Sequence, residues 1–340
     1  MIDYTNFHIN NNPYSGSYSL KAVWSSLKPT REELLIGGNG FAKRSGLPTQ
    51  QYNSTGSLVG WWRLNEDVST AGSCLDSGWG PIFTGSFSSS AQRPSFSGLR
   101  PSTATYIATA SNLFNGTSNV VKVAVDTATS KLSFGHAAPS SAEETPFSIS
   151  AWVRRTGGGA FDTVVHKGSN HSTNLEYQLI LKQHGSVCDS TIMVKVSDSA
   201  SGAYVRAQSS LGVLTGSTWY HIVATYNGKA NAAITASYGP GIHHTSYGDV
   251  AQDVMSLYIN GEKKYISGTS SNLRSYRSMT NSSEPVYIGS RVSSNYFSGS
   301  LVDIAVWNEE LTKDNVKALY NASKFQPYIS FKNWTVKGSK

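Results

Sequence analysis

The sequence predicts an all-β fold: a two-sheet antiparallel jelly-roll sandwich over residues 57–322, with an N-terminal arm over residues 1–56 and one short C-terminal helix before a basic tail, residues 323–340. Three observations carry this. From Leu58 onward the chain is a succession of short runs rich in β-branched and aromatic residues, each bounded by Gly, Asn, Ser or Asp. After the arm, one stretch alone has a helical period, and it comes late. The composition fits a sheet protein with many turns: 39% hydrophobic, 14% charged, 31 glycines, and roughly one residue in six a serine. That is too apolar for a disordered chain and too polar for a membrane protein.

The arm opens without a sustained period, through Asn10-Asn11-Asn12-Pro13 and a Tyr/Ser stretch. Thr30-Arg31-Glu32-Glu33 reads as a capping box for a short helix that Gly37-Gly38 should stop. Its apolar residues, among them Ile2, Tyr4, Phe7, Ile9 and Trp24, cannot make a private core. Ordering each residue costs about 1–2 kcal/mol of backbone entropy, so the arm is expected to dock on another protein chain. The alternative is that it folds back along its own sandwich.

About ten strands follow. They are expected at Leu58 to Leu64, Val120 to Val125, Phe147 to Val153, Thr163 to His166, Leu175 to Leu181, Thr191 to Val196, Tyr204 to Gln208, Tyr220 to Tyr226, Val254 to Ile259, Val286 to Ile288 and Leu301 to Trp307. Alternation in Phe147-Ser148-Ile149-Ser150-Ala151-Trp152 places Phe147, Ile149 and Ala151 on one face and the serines with Trp152 on the other. Asn260-Gly261 suits a type I′ hairpin. Thr312 caps the late helix, whose apolar stripe is Val316, Leu319 and Tyr320. Strands in this number with a single late helix indicate a double-sheet jelly roll.

Charge and cysteine usage exclude several classes. The net charge is +7, but the basic residues are scattered in sequence, in pairs at most, such as Lys43-Arg44, Arg154-Arg155 and Lys263-Lys264. That argues against specific nucleic-acid binding. Cys74 and Cys188 are too few and too far apart for a disulfide scaffold, and two buried thiols are expected, with one bridge as the alternative. The start, Met1-Ile2-Asp3-Tyr4, has no basic and apolar leader pattern, and no stretch is long enough for a membrane-spanning helix, so synthesis in the cytosol without membrane insertion is expected.

Seven segments, in order, resemble the laminin-G-like and pentraxin-like branch of the concanavalin A-like lectin/glucanase superfamily. They are Ser57–Leu64, Phe114-Asn115-Gly116-Thr117-Ser118-Asn119 with Val120-Val121, Phe147–Val153, Trp219–Gly228, Leu257–Gly261, Tyr287-Ile288-Gly289, and Phe297 to Leu311. The resemblance covers about residues 57–322 and implies a concanavalin A-like sandwich. It speaks to fold more than to function, since the motifs mark strands and turns. The long insertion between Gly228 and Val254 departs from the family pattern, and long loops are often functional.

No enzyme is expected. Glycosidases of this superfamily carry carboxylates on alternate residues of one strand, which share a face. Here the acidic pairs Glu66-Asp67, Glu143-Glu144 and Glu309-Glu310 are adjacent and read as solvated turns. The resemblance implies Ca2+ as the metal to consider: Asp76 matches one acidic position of the family and Asp303 another, two of the six to eight oxygens the ion needs. Otherwise Asp76 caps a turn and Asp303 pairs with a base. Trp79, Tyr238 and Tyr247 are candidates for a sugar-stacking platform. His243 and His244 are candidates for a ligand contact, or else polar surface; Trp61, Trp62, Trp152, Trp219 and Trp307 fall in strand motifs and read as core.

The expectation from sequence is a non-enzymatic structural or attachment protein of a virus particle, such as a bacteriophage capsid decoration or tail-fibre component. It would be assembled in the host cytoplasm and displayed on the virion surface. Its partners would be other virion proteins or identical subunits, bound through the arm, and a cell-surface glycan. The rival readings are a secreted or surface lectin or adhesin of a bacterium, and a polysaccharide-degrading enzyme.

Overall fold

The computed structural model describes residues 58–64, 69, 73–74, 85–87, 89–97, 111–123, 132–135, 144–169, 174–237, 248–271 and 275–323. The arm with its expected Thr30 helix, and the basic tail beyond residue 323, lie outside the described residues.

In chain order the strands are β1 (Leu58–Trp62), β2 (Ser73–Cys74), β3 (Gly85–Ser86), β4 (Ser95–Ser97), β5 (Ser111–Asn115), β6 (Val121–Val123), β7 (Phe147–Arg155) and β8 (Phe161–Gly168). After them come β9 (Leu175–His184), β10 (Ser186–Asp198), β11 (Ala203–Ser209), β12 (Tyr220–Tyr226), β13 (Met255–Ile259), β14 (Glu262–Lys264), β15 (Ile266–Ser271), β16 (Val286–Ile288) and β17 (Ser298–Trp307). Three helices are described, α1 (Ala230–Ser237), α2 (Gly248–Val254) and α3 (Lys313–Ser323). One sheet has eight strands in the order β14-β13-β12-β7-β17-β5-β4, with β1 also paired to β17. The other has nine, in the order β15-β11-β10-β9-β8-β16-β6-β3-β2. All pairs are antiparallel, as expected for a sandwich.

The main core lies between the sheets. Phe147, Ile149, Ala151 and Val153 of β7, Ile222, Ala224 and Tyr226 of β12, and Leu301, Ile304 and Val306 of β17 face Tyr177, Leu179 and Leu181 of β9 and Val194 and Val196 of β10. The alternation in β7 is as the sequence predicts: Ser148, Ser150 and Trp152 turn the other way. At one end of the core Phe134, Phe147, Tyr177 and Tyr226 cluster, with neighbouring ring centroids 5.0–5.4 Å apart.

A second apolar layer forms on the outside of the eight-stranded sheet. There Leu58, Trp61, Val223, Tyr258, Ala305 and Trp307 are covered by Leu311, Val316 and Leu319, so α3 lies across the sheet. Trp152 and Val302 pack with Trp219 and Tyr320 beside it. Thr312 caps α3: its Oγ1 accepts from the Asn315 amide at 3.2 Å. Ser148 Oγ, on the same face, donates to the Glu309 carbonyl (2.7 Å) and accepts from the Leu311 amide (2.9 Å), fixing the turn that leads into the helix. Four of the five strand tryptophans are fully buried; Trp219, just before β12, is only half-buried.

Three sequence expectations need correction. The insertion after Gly228 is not all loop: α1 and α2 occupy both of its ends, burying Ala230, Ile234, Val250, Ala251 and Val254 in the main core. There is therefore more than one helix after the arm. Glu144 is not a solvated turn residue but 3% exposed. Its carboxylate accepts from the hydroxyls of Tyr226 and Tyr276 and from the Met279 amide. Burial pushes its pKa up.

Glu176 does similar work nearby, accepting from the amides of Phe134 (2.5 Å), Gly135 (3.1 Å) and Ser282 (3.0 Å). Lys167 Nζ, 3.6 Å from Glu176, donates to the carbonyls of Ser282 (2.6 Å) and Glu284 (2.8 Å). Burial outweighs these partners and raises the Glu176 pKa to about 7. With Asp198 accepting from the Arg277 amide at 2.9 Å, these side chains clamp the segment between β15 and β16 onto the sandwich. Cys74 in β2 and Cys188 in β10 stand six positions apart across the nine-stranded sheet. At the usual spacing of about 4.8 Å per strand that is far beyond the roughly 7 Å Cα limit of a disulfide.

A basic groove on the nine-stranded sheet as candidate functional site

The two sheets differ in what covers their outer faces. On the eight-stranded sheet α3 occupies that face, with Tyr320 against Trp152 and stacked on His221, each at a centroid distance of 6.0 Å. On the nine-stranded sheet the outer face carries a half-open groove of about 360 Å³. The period of the strands builds it. In β11 Ala203, Val205 and Ala207 point to the core, so Tyr204 and Arg206 point out. In β10 Val194 and Val196 point in, leaving Met193, Lys195 and Ser197 outside; in β9 the outward pair is Gln178 and Ile180.

Register then sets neighbours. Lys195 stands directly opposite Arg206 on one side and Gln178 on the other. Phe161, at the start of β8, also lines the groove. Arg291 and Asn295 reach over from the loop after β16. That loop is stiffened by reciprocal backbone bonds between Arg291 and Ser294 (2.9 and 3.0 Å) and tied to β8 by the Thr163 amide, which donates to the Asn295 carbonyl at 3.0 Å. Val292 and Asn295 have positive φ, as the tight reversal requires.

The site is electropositive. Lys195 Nζ lies over the Tyr204 ring, 4.2 Å from its centroid, and the Arg206 guanidinium lies 5.8 Å from the same ring. Burial, and then the charges of Arg206 and Arg291, push Lys195 down to about 8. Burial also lowers Arg291. No aspartate or glutamate lines the groove among the described residues. The floor residue Gln178 is buried, and its side-chain oxygen has no hydrogen-bond partner among the described residues.

The candidates read from sequence fall elsewhere. Asp76, Trp79, Tyr238, His243, His244 and Tyr247 lie outside the described residues. Asp303 sits in a β-bulge of β17, 2% exposed and at φ 58°. Its Oδ1 accepts from Trp61 Nε1 at 2.8 Å, and its amide donates to the Arg63 carbonyl at 2.8 Å, so it stitches β1 to β17. Among the described residues no group of three or more histidine, cysteine or acidic side chains could hold a metal ion. None of the groove residues was singled out by sequence. The signal was there, as cations in the outward positions of two successive strands, but the register that makes them neighbours was not.

Residues 115–238 match the laminin-G model of the concanavalin A-like lectin/glucanases superfamily. That stretch holds the Asn115 turn, β7 and the Trp219–Gly228 motif, and the two antiparallel sheets make the domain a concanavalin A-like sandwich. No curated protein sequence matches the chain. Among solved structures, the binding domain of botulinum neurotoxin serotype G is similar at 12% identity and a TM-score of 0.47, over 77% of this chain and 50% of that one. Domain 4 of AbnA, a GH43 extracellular arabinanase from Geobacillus stearothermophilus solved with arabinotriose, is similar at 13% identity and a TM-score of 0.41, over 78% and 98%. The heptameric SAP-like pentraxin of Limulus polyphemus is similar at 14% identity and a TM-score of 0.36, over 60% and 78%. The chain thus spans half the length of the neurotoxin domain and nearly all of the arabinanase domain. No helix among the described residues is long and apolar enough to cross a membrane.

Proposed function

We propose that the sandwich is a non-enzymatic carbohydrate-binding module and that its saccharide site is the groove on the nine-stranded sheet. The observation that carries this is the asymmetry of the two outer faces: α3 packs across β1, β12, β13, β7 and β17 on one, and the other holds a groove of about 360 Å³. That volume suits a small ligand. Phe161, and Tyr204 on the side that Lys195 does not cover, offer apolar surface to a sugar, and Gln178, Asn295 and Ser197 offer hydrogen bonds to hydroxyls. The buried carboxylates do not serve as an acid–base pair in this reading. Glu144 and Glu176 spend their oxygens on tyrosine hydroxyls and backbone amides, and neither lines the groove.

The finer reading is a module displayed on a virus particle and held there by residues 1–56. What supports it is the apolar, aperiodic composition of the arm. A lectin or adhesin of a bacterial surface would use the same groove.

The test is binding of the full chain to a panel of oligosaccharides, with recovery of the bound sugar. Saturable binding that Tyr204→Ala weakens at least about tenfold, with the sugar recovered intact, is the expected result. Cleaved sugar would overturn the non-enzymatic assignment, and no binding to any member would overturn the module assignment.

A further inference from the structure

We infer that Lys167 and Glu176 condense with one another: Lys167 Nζ becomes the nitrogen of an amide on the Glu176 side chain, one water is lost, and the mature sandwich carries a covalent bond between β8 and β9. Nothing in this depends on what the groove binds. The two side chains meet at an irregularity of the sheet. The register of β8 against β9 shifts between Lys167, opposite Tyr177, and Gly168, opposite Leu175. Both side chains are fully buried, and Nζ stands 3.6 Å from Glu176 Oε2. Taking two charges out of water can cost more than their attraction returns, whereas an amide has no charge to desolvate.

Each group has the neighbours that the reaction needs. Of the three N–H donors of Lys167, one bonds the Ser282 carbonyl at 2.6 Å and one the Glu284 carbonyl at 2.8 Å. The position left over, where the lone pair lies once a proton has gone, is the one for Glu176. Glu176 Oε1 accepts from two backbone amides, Phe134 at 2.5 Å and Gly135 at 3.1 Å. Two amides aimed at one oxygen stabilise the charge that develops there as an amine adds to the carboxyl carbon. Oε2, beside Nζ and held by the Ser282 amide at 3.0 Å, is the oxygen placed to leave. Burial raises the Glu176 pKa to about 7 and lowers that of Lys167, so both lean toward the free amine and the carboxylic acid that react.

The step balances within the pair. A proton passes from Nζ to Oε2, and the freed electron pair forms the N–Cδ bond while the Cδ–Oε1 π pair moves onto Oε1. A second proton then passes from the nitrogen to Oε2, the Oε1 pair re-forms the carbonyl, and the Cδ–Oε2 bond breaks to release water. An ammonium and a carboxylate become a secondary amide and one water, with no change of oxidation state. The product oxygen keeps the Phe134 and Gly135 amides, and its remaining N–H keeps one of the two carbonyls. Arg155 and Asp162, also a buried pair, have no such outcome, because a guanidinium stays protonated.

Mass spectrometry of the full chain tests this. The purified, denatured protein is expected to weigh one water less than its sequence. Trypsin should leave residues 156–182 as one piece, since the amide blocks cleavage after Lys167, and no backbone fragment should separate residues 168–175 from it. An unlinked chain gives two peptides, 156–167 and 168–182. Lys167→Met should have the mass that its sequence requires, with a cooperative melt to show that it folds; should it not fold, the wild-type mass and map decide alone. A wild-type chain at full sequence mass after days in the folded state would overturn the inference and leave a buried ion pair. A lost water mapped to other residues, or one still missing from folded Lys167→Met, would overturn it equally.

Discussion

Glu144 accepts three hydrogen bonds in the core, from the hydroxyls of Tyr226 and Tyr276 and from the Met279 amide. Replacing it with alanine strands these donors, and unsatisfied buried polar groups cost about 1–3 kcal/mol each. Glu144→Ala is therefore expected to lower unfolding free energy by roughly 3–5 kcal/mol, read from the urea midpoint. Sequence gave no hint of this role, because an acidic pair beside a proline looks like a solvated turn until Tyr226 and Tyr276 arrive from distant parts of the chain.

Elements were more legible than single polar residues. Hydrophobic period and turn residues placed the main strands, the β7 alternation and the Thr312 cap, because those features depend on neighbours in sequence. The hairpin at Asn260-Gly261 is as expected, with φ of 52° and 81°, the signature of a type I′ turn. A Cβ at Gly261 would lie 2.9 Å from Tyr320 Cδ1, so this turn also seats the end of α3. Gly261→Ala combines an unfavourable φ with that clash, and a loss of about 1–2 kcal/mol with a lowered thermal midpoint is expected. A neutral effect would mean that α3 can shift off the hairpin. What sequence did not reveal at this scale has physical causes. The helix α1, Ala230–Ser237, lacks a charged face, so a glycine-bounded insertion hides it. The bulge at Asp303 is dictated by its pairing to β1, about 240 residues earlier in the chain.

At the scale of the whole molecule, the sandwich buries one core between its sheets and a second beneath α3, and the groove lies on the outer face of the nine-stranded sheet. The overall architecture was legible because seven local motifs occur in order. The groove was not, because it exists only when β9, β10 and β11 are in register. Since the core between the sheets and the layer beneath α3 draw on residues 58–319, deleting residues 1–50 is expected to leave a soluble protein with an unchanged cooperative melt. It should also lose association with the particle or partner chain, checked by light scattering and co-sedimentation. A truncated chain that unfolds would instead show that the arm belongs to the sandwich.

The most direct test of the central claim is to map the saccharide's contact surface by nuclear magnetic resonance, following the amide signals of isotope-labelled protein during titration. Shifts are expected to concentrate in β9, β10, β11 and residues 291–295 and to saturate together. Shifts confined instead to Trp79, to the segment holding Tyr238, His243, His244 and Tyr247, or to the surface around α3 would contradict it.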